Sequence, residues 1–103
     1  MITQIIVVAK TNQDRAGNTY HVTSVTATSE HGEVVYSNTM PMKYGYGEQY
    51  LCDALEHLSK QGVIENYTHN SVPWSYCCDR NIQLIHSASE VSAREFRGLK
   101  EKS

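Results

Sequence analysis

Apolar and polar positions alternate along the first part of the chain and switch to a helical spacing after residue 48. "TQIIVVAKT" is short and rich in β-branched residues, and predicts a strand over Thr3–Lys10. Ile5, Val7 and Ala9 fall on one face of it and Ile6 and Val8 on the other. That pattern suits an interior strand, or one face packed and the other shared with a partner. "TNQDRAGN", Thr11–Asn18, reads as a turn-rich connector, and "TYHVTSVTATS" predicts a second strand over Thr19–Thr28. "EHGE" reads as a tight turn in which Gly32 supplies a positive φ. "EVVYSNTMPM" predicts a third strand, with Val34, Tyr36, Met40 and Met42 on one side. Pro41 has no N–H for a ladder, so the strand ends there or lies at an edge. These three strands read as an antiparallel meander.

Leu51, Ala54, Leu55 and Leu58 then recur at i, i+3, i+4 and i+7, the apolar stripe of an amphipathic helix. The predicted span is Glu48–Gln61, with Gly62 as its left-handed C-terminal cap. Beyond it, "VIENYTHNSVPWSYCCDRN" mixes apolar and turn residues and suggests a short strand around Trp74–Cys77. "IQLIHSASEV" predicts a strand from Ile82 to about Ser87. Ser92-Ala93-Arg94-Glu95 matches a capping box for a short C-terminal helix, and Ser87-Ala88-Ser89-Glu90 is a competing start. The expected fold is therefore α+β, one domain over residues 1–103. Its antiparallel sheet consists of the N-terminal meander plus a C-terminal strand, with one main amphipathic helix packed on one face.

Composition narrows the chemistry. Nine Lys and Arg stand against eleven Asp and Glu, a net charge of −2. This argues against a duplex-DNA binder, which would carry a basic excess, and against an acidic mimic of DNA. The three cysteines, Cys52, Cys77 and Cys78, are odd in number and include an adjacent pair. They suggest reduced thiols in a cytoplasmic compartment rather than a disulfide framework. The opening apolar run has no basic region before it and is short for a signal peptide or a membrane span. The expectation is an intracellular, soluble protein.

There is no Cys-x-x-Cys and no His-Glu-x-x-His, and Asp53 with His57, four apart, reads as a solvated helix face. In a strand, Cys77 and Cys78 would point to opposite faces. No metal site and no cofactor are expected. No nucleophile motif occurs, and Cys77 or Cys78 would meet His86 only by accident of folding. The expectation is a protein that is not an enzyme.

One stretch invites a ligand. In "MKYGYGEQYLCDALEHL", Gly45 and Gly47 alternate with Tyr44 and Tyr46 where the helix begins. A helix N-terminus leaves amides without partners, and a glycine bend lets an anion approach them. Tyr44, Tyr46 and Tyr50 would add flat faces; stacking a base on such a ring contributes roughly 1–3 kcal/mol. The competing reading is that the glycines only turn a corner, tyrosines fill the core, and Glu48 satisfies the amides. On residue chemistry alone the corner-turning reading leads. Arg15, Arg80, Arg94 and Arg97 offer guanidinium forks for phosphate, and their value depends on whether they converge.

The order of two motifs, Gly17-Asn18-Thr19-Tyr20-His21 and then Tyr44-Gly45-Tyr46-Gly47-Glu48-Gln49-Tyr50 with its helix, carries a resemblance. It is similar to small uncharacterised proteins encoded by bacteriophages, in which a GNTYH-like strand precedes a YGYG(D/E)QY loop and helix. The resemblance spans roughly residues 2–62, with a weaker match in the C-terminal strand. It implies a phage accessory protein made in the host bacterial cytoplasm. More loosely, the chain resembles the phage anti-defence proteins of Thoeris type, which sequester a signalling nucleotide without cleaving it, generally in pockets built by a multimer. On that likeness, the expected function is non-catalytic sequestration of a small phosphate-containing nucleotide. Tyr44, Gly45, Tyr46 and Gly47 would supply amides and rings, Arg15, Arg80 or Arg94 would neutralise phosphate, and Tyr20 and His21 would line the pocket. The alternative is an inhibitor that binds a host defence protein, of the anti-CRISPR kind, with tyrosines and Trp74 as hot spots. A homo-oligomer is expected in either case, because the apolar residues on both faces of the first strand and Met40-Pro41-Met42 leave apolar surface.

Overall fold

The computed structural model describes residues 1–45, 47–68 and 70–102. The meander is present as β1 (Ile2–Gln13), β2 (Thr19–Ser29) and β3 (Val34–Thr39), each antiparallel to its predecessor. Gly17 and Gly32 sit in the two turns at φ 88° and 79°, a region closed to most residues with a Cβ. Pro41 interrupts the third strand as expected, but the chain rejoins β2 as β4 (Lys43–Tyr44). Helix α1 (Gln49–Lys60) follows, ends on Gly62 at φ 76°, and is closed by the Val63 amide donating to the Leu58 carbonyl.

Several features differ from the sequence reading, the first being that β1 runs on to Gln13, into the segment read as a connector. The segment around Trp74–Cys77 is not a strand but helix α2 (Pro73–Asp79). Pro73 opens that helix, where its missing N–H costs no bond, and Pro73, Tyr76 and Cys77 bury one face at i, i+3 and i+4. Cys77 is thus buried and Cys78 exposed on a helix rather than on opposite faces of a strand. The C-terminal strand β5 (Gln83–Glu90) pairs with β1 in parallel, not antiparallel. The reason is the path of the chain: α1 and α2 return it to the end of the sheet where β1 starts, and Gln83 enters beside Gln4. The sheet order is β3-β2-β1-β5, with β4 also on β2.

The inner face of the sheet carries Ile5, Val7 and Ala9 of β1 and Val25 and Ala27 of β2, all fully buried. They pack in one cluster with Leu51, Ala54, Leu55 and Leu58 of α1 and with Tyr76 and Cys77 of α2. The second apolar face of β1 meets a third helix, α3 (Ala93–Lys102), which contacts β1 and β2. Ser92 Oγ accepts the Glu95 amide (3.2 Å), so the later of the two candidate capping boxes starts this helix. Leu99 shares a cavity of about 200 Å³ with Val8 and Val22, and Phe96 is buried. Val8 and Ile85 stay partly exposed beyond the helix, and Met40 is buried, so Met40-Pro41-Met42 is not an apolar surface patch. Among the described residues no helix is long and apolar enough to cross a membrane.

Thr23, on the inner face at 1% exposure, leaves its Oγ1 without a partner among the described residues. Valine has the same shape without the stranded hydroxyl. Thr23→Val should therefore raise the unfolding free energy by about 1 kcal/mol, read from the urea midpoint; a lower midpoint would mean that the hydroxyl is satisfied.

Candidate functional site

The glycine bend is built by pairing. Tyr44 stands opposite Tyr20 and Lys43 opposite His21 across β4 and β2, and the Gly45 amide donates to the Thr19 carbonyl (3.0 Å). That amide is therefore spent inside the sheet. A Cβ on Gly45 would lie 2.8 Å from Gln49 Cγ and 3.1 Å from His21 Cε1, so the inner side of the bend is closed by packed side chains. Gly45 is glycine because backbone and side chains approach it closely. Gly47 is glycine because it sits at φ 57°, with open space where a Cβ would project. Glu48 occupies the N-cap position of α1 without a side-chain capping bond. Tyr46 lies outside the described residues.

Beneath the bend is a buried polar group. His21, 3% exposed, brings Nε2 to 3.1 Å from Asp53 Oδ2, and Gln49 Nε2 donates to Asp53 Oδ1 at 3.1 Å. His21 is thus a core residue that ties β2 to α1 and does not line an open pocket. Asp53 and His57 do not act together: His57 Nε2 meets the Tyr36 hydroxyl at 2.6 Å, and Asn38 Nδ2 donates to that same hydroxyl. Tyr50 is buried, and its hydroxyl meets His86 Nδ1 at 2.8 Å while Trp74 packs edge-on to the His86 ring. Burial, and after it the Glu48 carboxylate, push the Tyr50 phenol above its usual range.

The structure divides the remaining predicted residues between two ends of the sheet. Tyr20 and Tyr44 form an edge-to-face pair (5.5 Å between ring centres) at the end of the β1–β2 hairpin, with Tyr44 53% exposed. Arg15 is in that hairpin's turn, where Asp14 Oδ1 accepts the Ala16 and Asn18 amides. Arg94 begins α3, whose approach is fixed there by the Val91 amide on the Thr11 carbonyl. Arg80 is at the other end, just before β5 enters beside Gln4, roughly 30 Å away along the strands. The four candidate groups near the hairpin therefore cannot share a ligand with Arg80.

Arg80 has a cleft of its own. A cavity of about 300 Å³ is lined by Met1, Ile2, Val63, Ile64, Glu65, Tyr76, Arg80 and Ile82. Arg80 Cζ lies 3.8 Å over the centre of the Tyr76 ring, a stacked cation–π contact. The Tyr76 hydroxyl donates to the Glu65 carbonyl, so the ring is held at its edge and on its face. Among the described residues no carboxylate pairs with the Arg80 guanidinium. Burial raises the Tyr76 phenol, partly opposed by Arg80, and the adjacent Cys77 thiol is pushed by burial up to about 11. The Tyr76 part of this site was not among the sequence candidates. Its signal is the i, i+4 spacing of Tyr76 and Arg80, which becomes a contact only once the segment is read as a helix.

Gly45→Ala should lower stability by about 1–3 kcal/mol through overpacking, and Gly47→Ala by about 1 kcal/mol through backbone strain; equal urea midpoints would refute the packed bend. An alkaline weakness is also expected. The raised Cys77 thiol contributes fully below the ordinary thiol range, near pH ~8.5. That contribution is lost as pH rises toward about 11. Tyr50, Tyr67 and Tyr76, all raised by burial, act in the same direction at higher pH. The urea midpoint should fall over this range, and Cys77→Ala should remove its earliest part. No protein family, curated protein or solved structure was found to match the chain.

Proposed function

We propose that this chain is a phage accessory protein, acting in the host bacterial cytoplasm, that counters an antiviral defence by holding a small phosphate-containing nucleotide without chemical change. The ligand site in this reading is the Arg80 cleft and not the glycine bend, whose Gly45 amide and inner side are already engaged. The observation that carries it is a guanidinium stacked on Tyr76, without a carboxylate partner among the described residues, at the edge of a cavity of about 300 Å³. Cavities that hold small molecules begin at about that size. A guanidinium already held on a ring gives up little freedom when it takes an oxyanion. The Tyr76 hydroxyl is already engaged with the Glu65 carbonyl, which suits retention of an anion over its cleavage. The phage setting rests on the GNTYH and YGYGEQY resemblance.

A second reading, inhibition of a host defence protein by direct contact, is favoured by a different observation. Tyr44 and Trp74 are 53% and 45% exposed, and these residue types dominate protein-binding hot spots. Homo-oligomer formation belongs with either reading, since the edge strand β3 leaves Val34 and Val35 exposed.

Purified protein should show a thermal shift with at least one member of a panel of cyclic nucleotides and ADP-ribose derivatives. The ligand should be recovered intact on denaturation, and Arg80→Ala should abolish the shift while lowering the melting temperature of the free protein by only a few degrees, the loss of the stacked contact on Tyr76. No shift across the panel, with a stoichiometric host protein in a pull-down lost on Trp74→Ala or Tyr44→Ala, would replace this reading with the second.

A further inference from the structure

We infer that the Arg80 cleft selects a compact nucleotide with one negative charge, a cyclic mononucleotide phosphodiester, over polyphosphates, ADP-ribose and cyclic dinucleotides. This inference rests on the binding reading above.

Charge is the first ground. Arg80 supplies one positive charge at the cleft, and the exposed Glu65 side chain on the facing wall is negative. The exposed Met1 amino group lies 3.9 Å from a Glu30 carboxylate oxygen, which draws it away from the cleft's ligand only in part. Arg80 can therefore neutralise one anionic group. A second phosphate would find only the exposed Met1 amino group, shared with Glu30, and would approach the Glu65 carboxylate, which disfavours it.

Shape gives the second ground. The cleft is open to solvent, and its volume of about 300 Å³, at the small end for ligand sites, gives walls to one ring system and its attached oxyanion. The rest of a larger ligand would project into water without contacts. Ile2, Val63, Ile64 and Ile82 give the space an apolar lining suited to the edge of a ring. The Arg80 guanidinium lies over the Tyr76 ring, and its N–H groups, which lie in the guanidinium plane, are the donors it can offer an oxyanion.

The third ground is that the backbone carrying the clamp is set by local turns. Arg80 caps α2, with its amide and that of Ile82 both donating to the Cys77 carbonyl (3.2 and 2.8 Å). Asn81 follows at φ 57°, and on the opposite wall Asn66 follows Glu65 at φ 60°. These two are the non-glycine residues with positive φ among the described residues, and each comes directly after a residue that holds Tyr76. Asparagine tolerates this conformation better than most residues, so both walls are set by local backbone geometry. A preset cleft discriminates by size and charge where a mobile one would adapt.

The test is calorimetric titration of the full chain with 3′,5′-cyclic AMP, 3′,5′-cyclic GMP, ADP-ribose and a cyclic dinucleotide at one ionic strength. A cyclic mononucleotide should bind at least about tenfold more tightly than the other two classes. Arg80→Ala should abolish binding. Glu65→Gln, which keeps the main-chain carbonyl used by Tyr76, should improve ADP-ribose more than the cyclic mononucleotide. Tighter binding of ADP-ribose or the dinucleotide, still lost in Arg80→Ala, would overturn the selectivity and leave the cleft reading intact. Binding of none of them, or binding unaffected by Arg80→Ala, would overturn both.

Discussion

The structure depends on the seating of one helical stripe on one face of two strands. Leu51, Ala54, Leu55 and Leu58 of α1 and Ile5, Val7, Val25 and Ala27 of the sheet all reach zero exposure. Each fully buried leucine or isoleucine contributes about 1.5–3 kcal/mol relative to exposure, and among the described residues no other contact gathers as many fully buried aliphatic side chains. The bend before α1 and the turn after it are set by this seating. Gly45 must let the chain pass under Gln49 and over His21 for the stripe to land in register.

Polar pairs then fix where along the sheet the helix comes to rest. Asp53 reaches His21 on β2, His57 reaches Tyr36 on β3, and Tyr50 reaches His86 on β5. Apolar packing is tolerant of small slides, whereas these three contacts hold only at one position of α1 against three different strands. The cleft over Tyr76 is a by-product of the same arrangement. It opens where α1 has ended, the 63–65 segment crosses the sheet end, and α2 turns into β5.

Much of this was legible in the sequence, and the gaps have physical causes. The period-two runs and the Leu51–Leu58 stripe specify β2 and α1 because each buries one face in the core, while β1 reads from its dense run of β-branched residues and β3 from its alternation before Pro41. α2 was missed because it is seven residues long, too short for a period to show, and because Pro73 reads as a breaker until it is placed in the first turn. The parallel sense of β5 depends on where two helices deliver the chain, which is a property of three-dimensional path. The candidate site residues are divided for the same reason. His21 and Gly45 were noted for chemistry, but their roles follow from contacts with Gln49 and Asp53 on another element. Arg80 was noted as a turn residue, and its ring partner appeared only with the helix.

The pairing of Gln4 with Gln83 joins positions near opposite extremes of the described chain. β1 is an interior strand, yet one of its two neighbours is translated nearly eighty residues after it. While the chain is being synthesised, one margin of β1 has only water for company, and a large loop must close before that margin is covered. The topology therefore places this domain among those whose assembly waits on distant contacts, and the final strand acts as the keystone that makes the earlier ones secure.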